Sequence, residues 1–108
     1  MRKAQQTDLT QLVMLCSQFR ETQNYTEHTY NPEYMYSNLE VFLNNPKCDI
    51  FVVEKDGLII GAACGFEHQT LLCPDSEYSE LFVICSDPRG VLRLLKALEE
   101  SAKNRRVK

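Results

Sequence analysis

The pair Asp56-Gly57 stands between two apolar runs, CDIFVVEK (Cys48 to Lys55) and LIIGAACGFEH (Leu58 to His68). An Asp-Gly dipeptide in that setting specifies a two-residue hairpin, because both turn positions favour a positive φ, which glycine takes without steric cost. The middle of the chain is thereby committed to two antiparallel strands. Within the second, Gly61 and Gly65 together with Ala62 and Ala63 leave little side-chain bulk. Either a helix packs closely over this strand or something flat lies along it.

The flanking segments read as helices and two further strands. MRKA at the start is a short strand candidate. Thr7 reads as the cap of a helix whose apolar positions Leu9, Leu12, Val13, Cys16 and Phe19 recur at helical spacing and fade between Arg20 and Asn24. The polar, tyrosine-rich stretch ETQNYTEHTYNPEY reads as a loop. Asn31-Pro32 then caps a second helix, with Met35, Leu39, Phe42 and Leu43 as its buried stripe and Asn44-Asn45-Pro46 as its stop. A last strand spans about Ser79 to Cys85. A last helix runs from about Arg89 to Asn104, with Val91, Leu92, Leu94, Leu95 and Leu98 as its core face. The order β-α-α-β-β-β-α predicts an α+β fold: a mostly antiparallel four-stranded sheet covered by three helices.

At 108 residues this is expected to be one domain, residues 1–108. A net charge of −3 argues against non-specific nucleic-acid binding, which depends on neutralising many phosphates. The basic end KNRRVK reads as favourable charge at a helix C-terminus followed by a solvated tail. No apolar run approaches the roughly 20 residues that span a bilayer, and MRKAQQTD lacks the apolar core of a signal peptide. A cytoplasmic protein without membrane contact is expected. The cysteines Cys16, Cys48, Cys64, Cys73 and Cys85 are odd in number and form no CxxC pair, so they read as free thiols, several of them buried. A metal site would have to use Cys64, His68 and Cys73, and that spacing matches no zinc knuckle. No metal is expected.

The strand ELFVICS passes through DPRG directly into the helix VLRLLKALEESAK. A strand that feeds a helix through a glycine-containing turn is a common phosphate-binding arrangement, since free N–H groups and the helix dipole both favour an anion. Together with MRKAQQTDLTQLVMLC and FVVEKDGLIIGAACGF, this segment resembles the N-terminal part of the GNAT-family N-acetyltransferases. The resemblance covers essentially the whole chain and about the first two-thirds of a typical family domain. It implies transfer of acetyl from acetyl-CoA to a small-molecule or protein amine. It also implies a bulged fourth strand whose free amides orient the thioester, and a Q/R-x-x-G-x-G/A loop that holds the pyrophosphate.

Under that resemblance Glu80 is the candidate general base. The amides of Val83 and Cys85 are candidate acyl-orienting donors, and Arg89, Gly90 and Val91 form the candidate phosphate turn. Here the loop departs from the family pattern. Counted back from Leu94-Leu95, the two glycine positions hold Arg89 and Val91; with Arg89-Gly90 kept as the start of the motif instead, about three loop residues are missing. Asp87-Pro88 makes a good N-cap and first helical residue. A carboxylate already serving those amides repels a pyrophosphate. Tyr30 and Tyr34, with Tyr25 and Tyr36, fall where the family lines its acceptor site; they suit a substrate or a partner surface equally. The chain ends where the family begins its fifth strand, so the apolar fourth strand LFVIC is expected to meet a second copy, a swapped element or a partner strand. A non-catalytic binding or regulatory protein reusing this scaffold is the alternative function.

Overall fold

A computed structural model describes residues 1–22, 31–72 and 74–105 of the chain, with the side chains of 19–22 outside the description. Four strands form one antiparallel sheet in the order β1 (Arg2–Lys3), β2 (Cys48–Lys55), β3 (Leu58–Gln69) and β4 (Ser76–Cys85). Three helices accompany it: α1 (Leu9–Thr22), α2 (Pro32–Leu43) and α3 (Pro88–Asn104). The expected element order and class are those observed.

The hairpin turn is what Asp56-Gly57 requires, with φ of 54° and 79°. Both faces of the sheet are covered, which is why Ile50 to Val53 run apolar without alternation. Leu9, Leu12 and Val13 of α1 and Leu39 of α2 pack with Ile50, Val52, Ala62, Cys64 and Ile84 on one face. Leu94, Ala97 and Leu98 of α3 pack with Phe51, Val53 and Ala63 on the other.

Three local expectations change. The first helix is not capped by Thr7, which lies inside a 3-10 turn, Gln6–Asp8. The Gln5 N–H donates to the Asp8 carboxylate at 2.7 Å, and Arg2 closes on the same carboxylate at 2.7 Å. Strand β4 begins at Ser76, three residues early, because Tyr78 is drawn into the core of the α3 face. Leu92 and Leu95 of α3 are 62% and 40% exposed. The five residues expected on its core face span too wide an arc for a single sheet contact. The buried stripe is instead Gly90, Leu94, Ala97 and Leu98, at the i, i+4, i+7, i+8 spacing of one helix face.

The two glycines of β3 are explained by side chains arriving from β4. A Cβ on Gly65 would lie 2.6 Å from the Tyr78 ring, and one on Gly61 would lie 2.5 Å from Cys85 Sγ. A flat ring and a thiol occupy the space at the two glycines, whereas Ala62 and Ala63 lie under the helices of the two faces.

Candidate functional site

The site is built on β4. Cys64 pairs with Phe82 and Gly65 with Glu80, so Leu81 has no partner in β3. A one-residue bulge of this kind twists the strand and re-aims the residues beyond it. It falls in the strand where the family resemblance implies one.

Beyond the bulge the ladder fixes which amides face outwards. Ser86 N–H donates to the Ile60 carbonyl at 3.1 Å, so that residue points into the sheet. Antiparallel pairs alternate, and Val83 and Cys85 therefore direct their N–H groups away from β3. In the four-stranded order β4 is an edge, and among the described residues no strand pairs with its outer side. Glu80 stands immediately before the bulge and is exposed. The desolvated surroundings expected for a base are not present around it.

The turn into α3 comes directly after the strand. Asp87 caps the helix, accepting the Arg89 N–H on its side chain at 2.9 Å. Its carbonyl accepts the Gly90 N–H at 2.9 Å and the Val91 N–H at 3.4 Å. The Arg89 backbone N–H, and then the guanidinium, hold the Asp87 carboxyl below its ordinary value. The three amides that would cradle a phosphate are thus already bonded, beside a stable negative charge. Gly90 has its own packing reason: a Cβ there would collide with Cys85 Sγ.

Side chains add positive charge beside this turn. A hollow of about 230 Å³ is lined by Lys55, Arg89 and Arg93, by the carboxylates Glu54 and Asp87, and by Val53 and Ile60. Arg93 was legible as the residue one turn after Arg89 on the same helix. Lys55 is brought in only by the hairpin.

No family model and no curated relative matches this sequence. Solved structures do. A probable acetyltransferase superposes with a TM-score of 0.78 at 17% identity over 99% of this chain and 74% of its own. An acetyltransferase from Vibrio fischeri gives 0.74 at 20% identity over 99% and 88%. An aminoglycoside acetyltransferase from an uncultured soil metagenomic sample, in complex with sisomicin, gives 0.72 at 12% identity over 99% and 71%. This chain has the GNAT acetyltransferase fold.

On that GNAT scaffold the expected site residues divide into two groups. Glu80, Val83, Cys85, Arg89, Gly90 and Val91 lie consecutively along β4 and the start of α3. Tyr34 is separate, 68% exposed in the first turn of α2, where its N–H donates to Asn31 Oδ1 at 3.1 Å. Tyr30 and Tyr25 lie outside the described residues. Tyr36 borders a mainly apolar groove of about 470 Å³ between α1 and α2, with Val13, Met14 and Pro32. Cys73 is outside the described residues. Burial pushes the thiols of Cys64 and Cys16 up to about 12 and about 11, which keeps both protonated at neutral pH.

A polar cluster missed by sequence reasoning braces the α3 face. Asp49 is 4% exposed and accepts from Tyr78 Oη at 2.8 Å, from Ser101 Oγ, and from Arg105 Nε at 3.2 Å and Nη2 at 3.1 Å. Arg105 also reaches Glu67 at 3.5 Å. Burial pushes the Asp49 carboxyl up, but Arg105, Ser101 and Tyr78 together outweigh it and hold it below its ordinary value. Arg105 is therefore no part of a solvated tail. The available signal was a lone carboxylate inside the apolar run CDIFVV, which needs a partner if buried.

Proposed function

We propose that this chain transfers an acetyl group from acetyl-CoA to an amine acceptor. The observation that carries the reading is the β4 edge, where a bulge at Leu81 is followed by the outward amides of Val83 and Cys85. Such donors polarise a thioester carbonyl, and they stabilise the negative charge that develops when an amine attacks it. Several of the fold neighbours are acetyltransferases, among them an aminoglycoside acetyltransferase. Glu80, beside the bulge, is the candidate acceptor of the ammonium proton, directly or through water. Arg89, with Arg93 and Lys55, supplies charge for the phosphates in place of the backbone cradle that Asp87 closes. Tyr34 and Tyr30 are the candidate acceptor-side residues. No described helix is long and apolar enough to cross a membrane, which is consistent with the proposed cytoplasmic location.

One observation favours a second reading, a non-catalytic binding protein. The α3 amides are already bonded to Asp87, and Gly90 is accounted for by packing. In that case the open edge of β4 receives a second copy or a partner strand.

Calorimetric titration with acetyl-CoA, with the oligomeric state measured on the same sample, separates the two. Saturable binding below about 100 μM, roughly 5.5 kcal/mol, supports transfer and justifies an amine screen. A folded protein that shows no binding at millimolar ligand refutes the acetyl-transfer reading.

A further inference from the structure

The last residues of β3 hold a side-chain pair that the acetyl-transfer reading does not use. His68 Nε2 lies 2.6 Å from Ser79 Oγ, and His68 Nδ1 lies 3.2 Å from the Gln69 carbonyl oxygen. A carbonyl only accepts, so in neutral imidazole Nδ1 carries the ring proton and Nε2 keeps its lone pair. The Ser79 hydroxyl therefore donates to Nε2. A hydroxyl bonded to a base, with the base oriented by a third group, is the constellation that activates a serine nucleophile.

We propose that Ser79 and His68 form a nucleophile–base pair that takes the acyl group of an activated carboxylic ester onto Ser79 Oγ. The surroundings suit that role. Both residues are half-buried, so each is shielded yet reachable. Phe66 is the cross-strand partner of Ser79, and its ring centroid lies 4.9 Å from that of His68, tilted by 33°. This contact braces the imidazole plane and gives a small acyl group an apolar flank. Glu77, the cross-strand partner of His68, is exposed, and the bulge at Leu81 lies two residues beyond Ser79.

In the proposed step Ser79 Oγ bonds to the acyl carbon and the bond from that carbon to the leaving oxygen breaks. The hydroxyl proton passes to Nε2 and from there to the leaving oxygen. Water then attacks the acyl-serine while Nε2 takes its proton, releasing the carboxylic acid and restoring both side chains. Neither acetyl-CoA nor the α3 turn takes part, so the pair stands or falls independently of the proposed transfer.

The experiment is incubation of the full chain with p-nitrophenyl acetate in the absence of CoA, following nitrophenolate release and mapping acetylated peptides by mass spectrometry. The wild type is expected to carry one acetyl group on Ser79 and to release nitrophenolate above an equal concentration of free imidazole. Ser79→Ala should remove both signals, and His68→Gln should slow release by about 10²–10⁴-fold. Ser79→Cys, which keeps a nucleophile at the same position, should remain acylated and guards against a folding defect in the alanine variant. Acetylation elsewhere with Ser79 unmodified overturns the proposal. So does release that survives Ser79→Ala, or wild-type release no faster than imidazole.

Discussion

Replacing Asp49 by Asn tests the cluster that ties the C-terminal end of α3 to the sheet. The substitution keeps shape and volume but removes a buried charge that three side chains address. Removing one partner of a buried ion pair costs about 3–5 kcal/mol, because the other is left uncompensated. The lower end applies here, about 3 kcal/mol, since Arg105 keeps 20% of its side-chain surface and retains Glu67 at 3.5 Å. A shift of about 4–8 °C per kcal/mol for a domain near this size then predicts a melting midpoint lower by about 12–24 °C at pH 7. Circular dichroism during heating reads it directly.

The pH dependence supplies a second arm. The folded carboxyl of Asp49 is held below its ordinary value of 3.8. Its contribution is complete above that value and is lost as pH falls through the lower folded one. The gap between wild type and variant should therefore narrow below about pH 4, and comparing the two chains cancels the other depressed carboxyls. A midpoint within about 3 °C of wild type at pH 7, or a gap unchanged at pH 3, refutes the account of Asp49 as an ionised brace.

The packing around Cys85 makes a sharper genetic test. Gly90→Ala should destabilise by about 1–3 kcal/mol through its clash with Cys85 Sγ, despite alanine's better helix propensity. Adding Cys85→Ala should restore most of that loss in urea titrations, because the next nearest atom is the Cys85 Cβ at 3.5 Å. The same addition should not rescue Gly61→Ala, whose Cβ also meets the Cys85 Cβ at 2.7 Å and the Ile84 carbonyl at 2.9 Å; equal rescue of both would show that sulfur is not the obstacle. Asp87→Ser keeps a capping oxygen and removes the charge, so calorimetry should show tighter acetyl-CoA binding than in wild type. Weaker or unchanged binding would mean that the carboxylate does not obstruct the phosphates. Leu81→Lys places a charge on the open edge of β4 and should reduce self-association in light scattering, with stability changed by less than about 0.5 kcal/mol. A dimer that persists in this variant assembles through another surface.

Much of the scaffold was legible because its signals are local. The Asp56-Gly57 turn, the Asn31-Pro32 start and the Asp87-Pro88 start each act within a few residues, and helical spacing marks Leu9, Leu12 and Val13 as one face. The errors occurred where a distant element decided. Leu92 and Leu95 satisfy helical periodicity as well as Leu94 and Leu98 do, and only the position of the sheet selects between them. Ser76 to Tyr78 carry no strong strand signal, yet the space above Gly65 and the oxygen of Asp49 draw Tyr78 into the sheet. The candidate site divides in the same way. The run from Glu80 to Val91 was readable as a strand–turn–helix, whereas the roles of its amides depended on register.

The sequence alone determined the element order, the α+β class, the hairpin and the self-capping of the turn into α3, because each arises from contacts between near neighbours. Tertiary structure decided that Leu81 is bulged out, that Val83 and Cys85 turn their N–H groups to an open edge, and that Gly90 serves Cys85. It also brought Arg105 onto Asp49, 56 residues away in the chain. Such choices depend on which surfaces meet once the chain has closed on itself, and a charge or a glycine reads the same locally whether solvent or a buried partner awaits it.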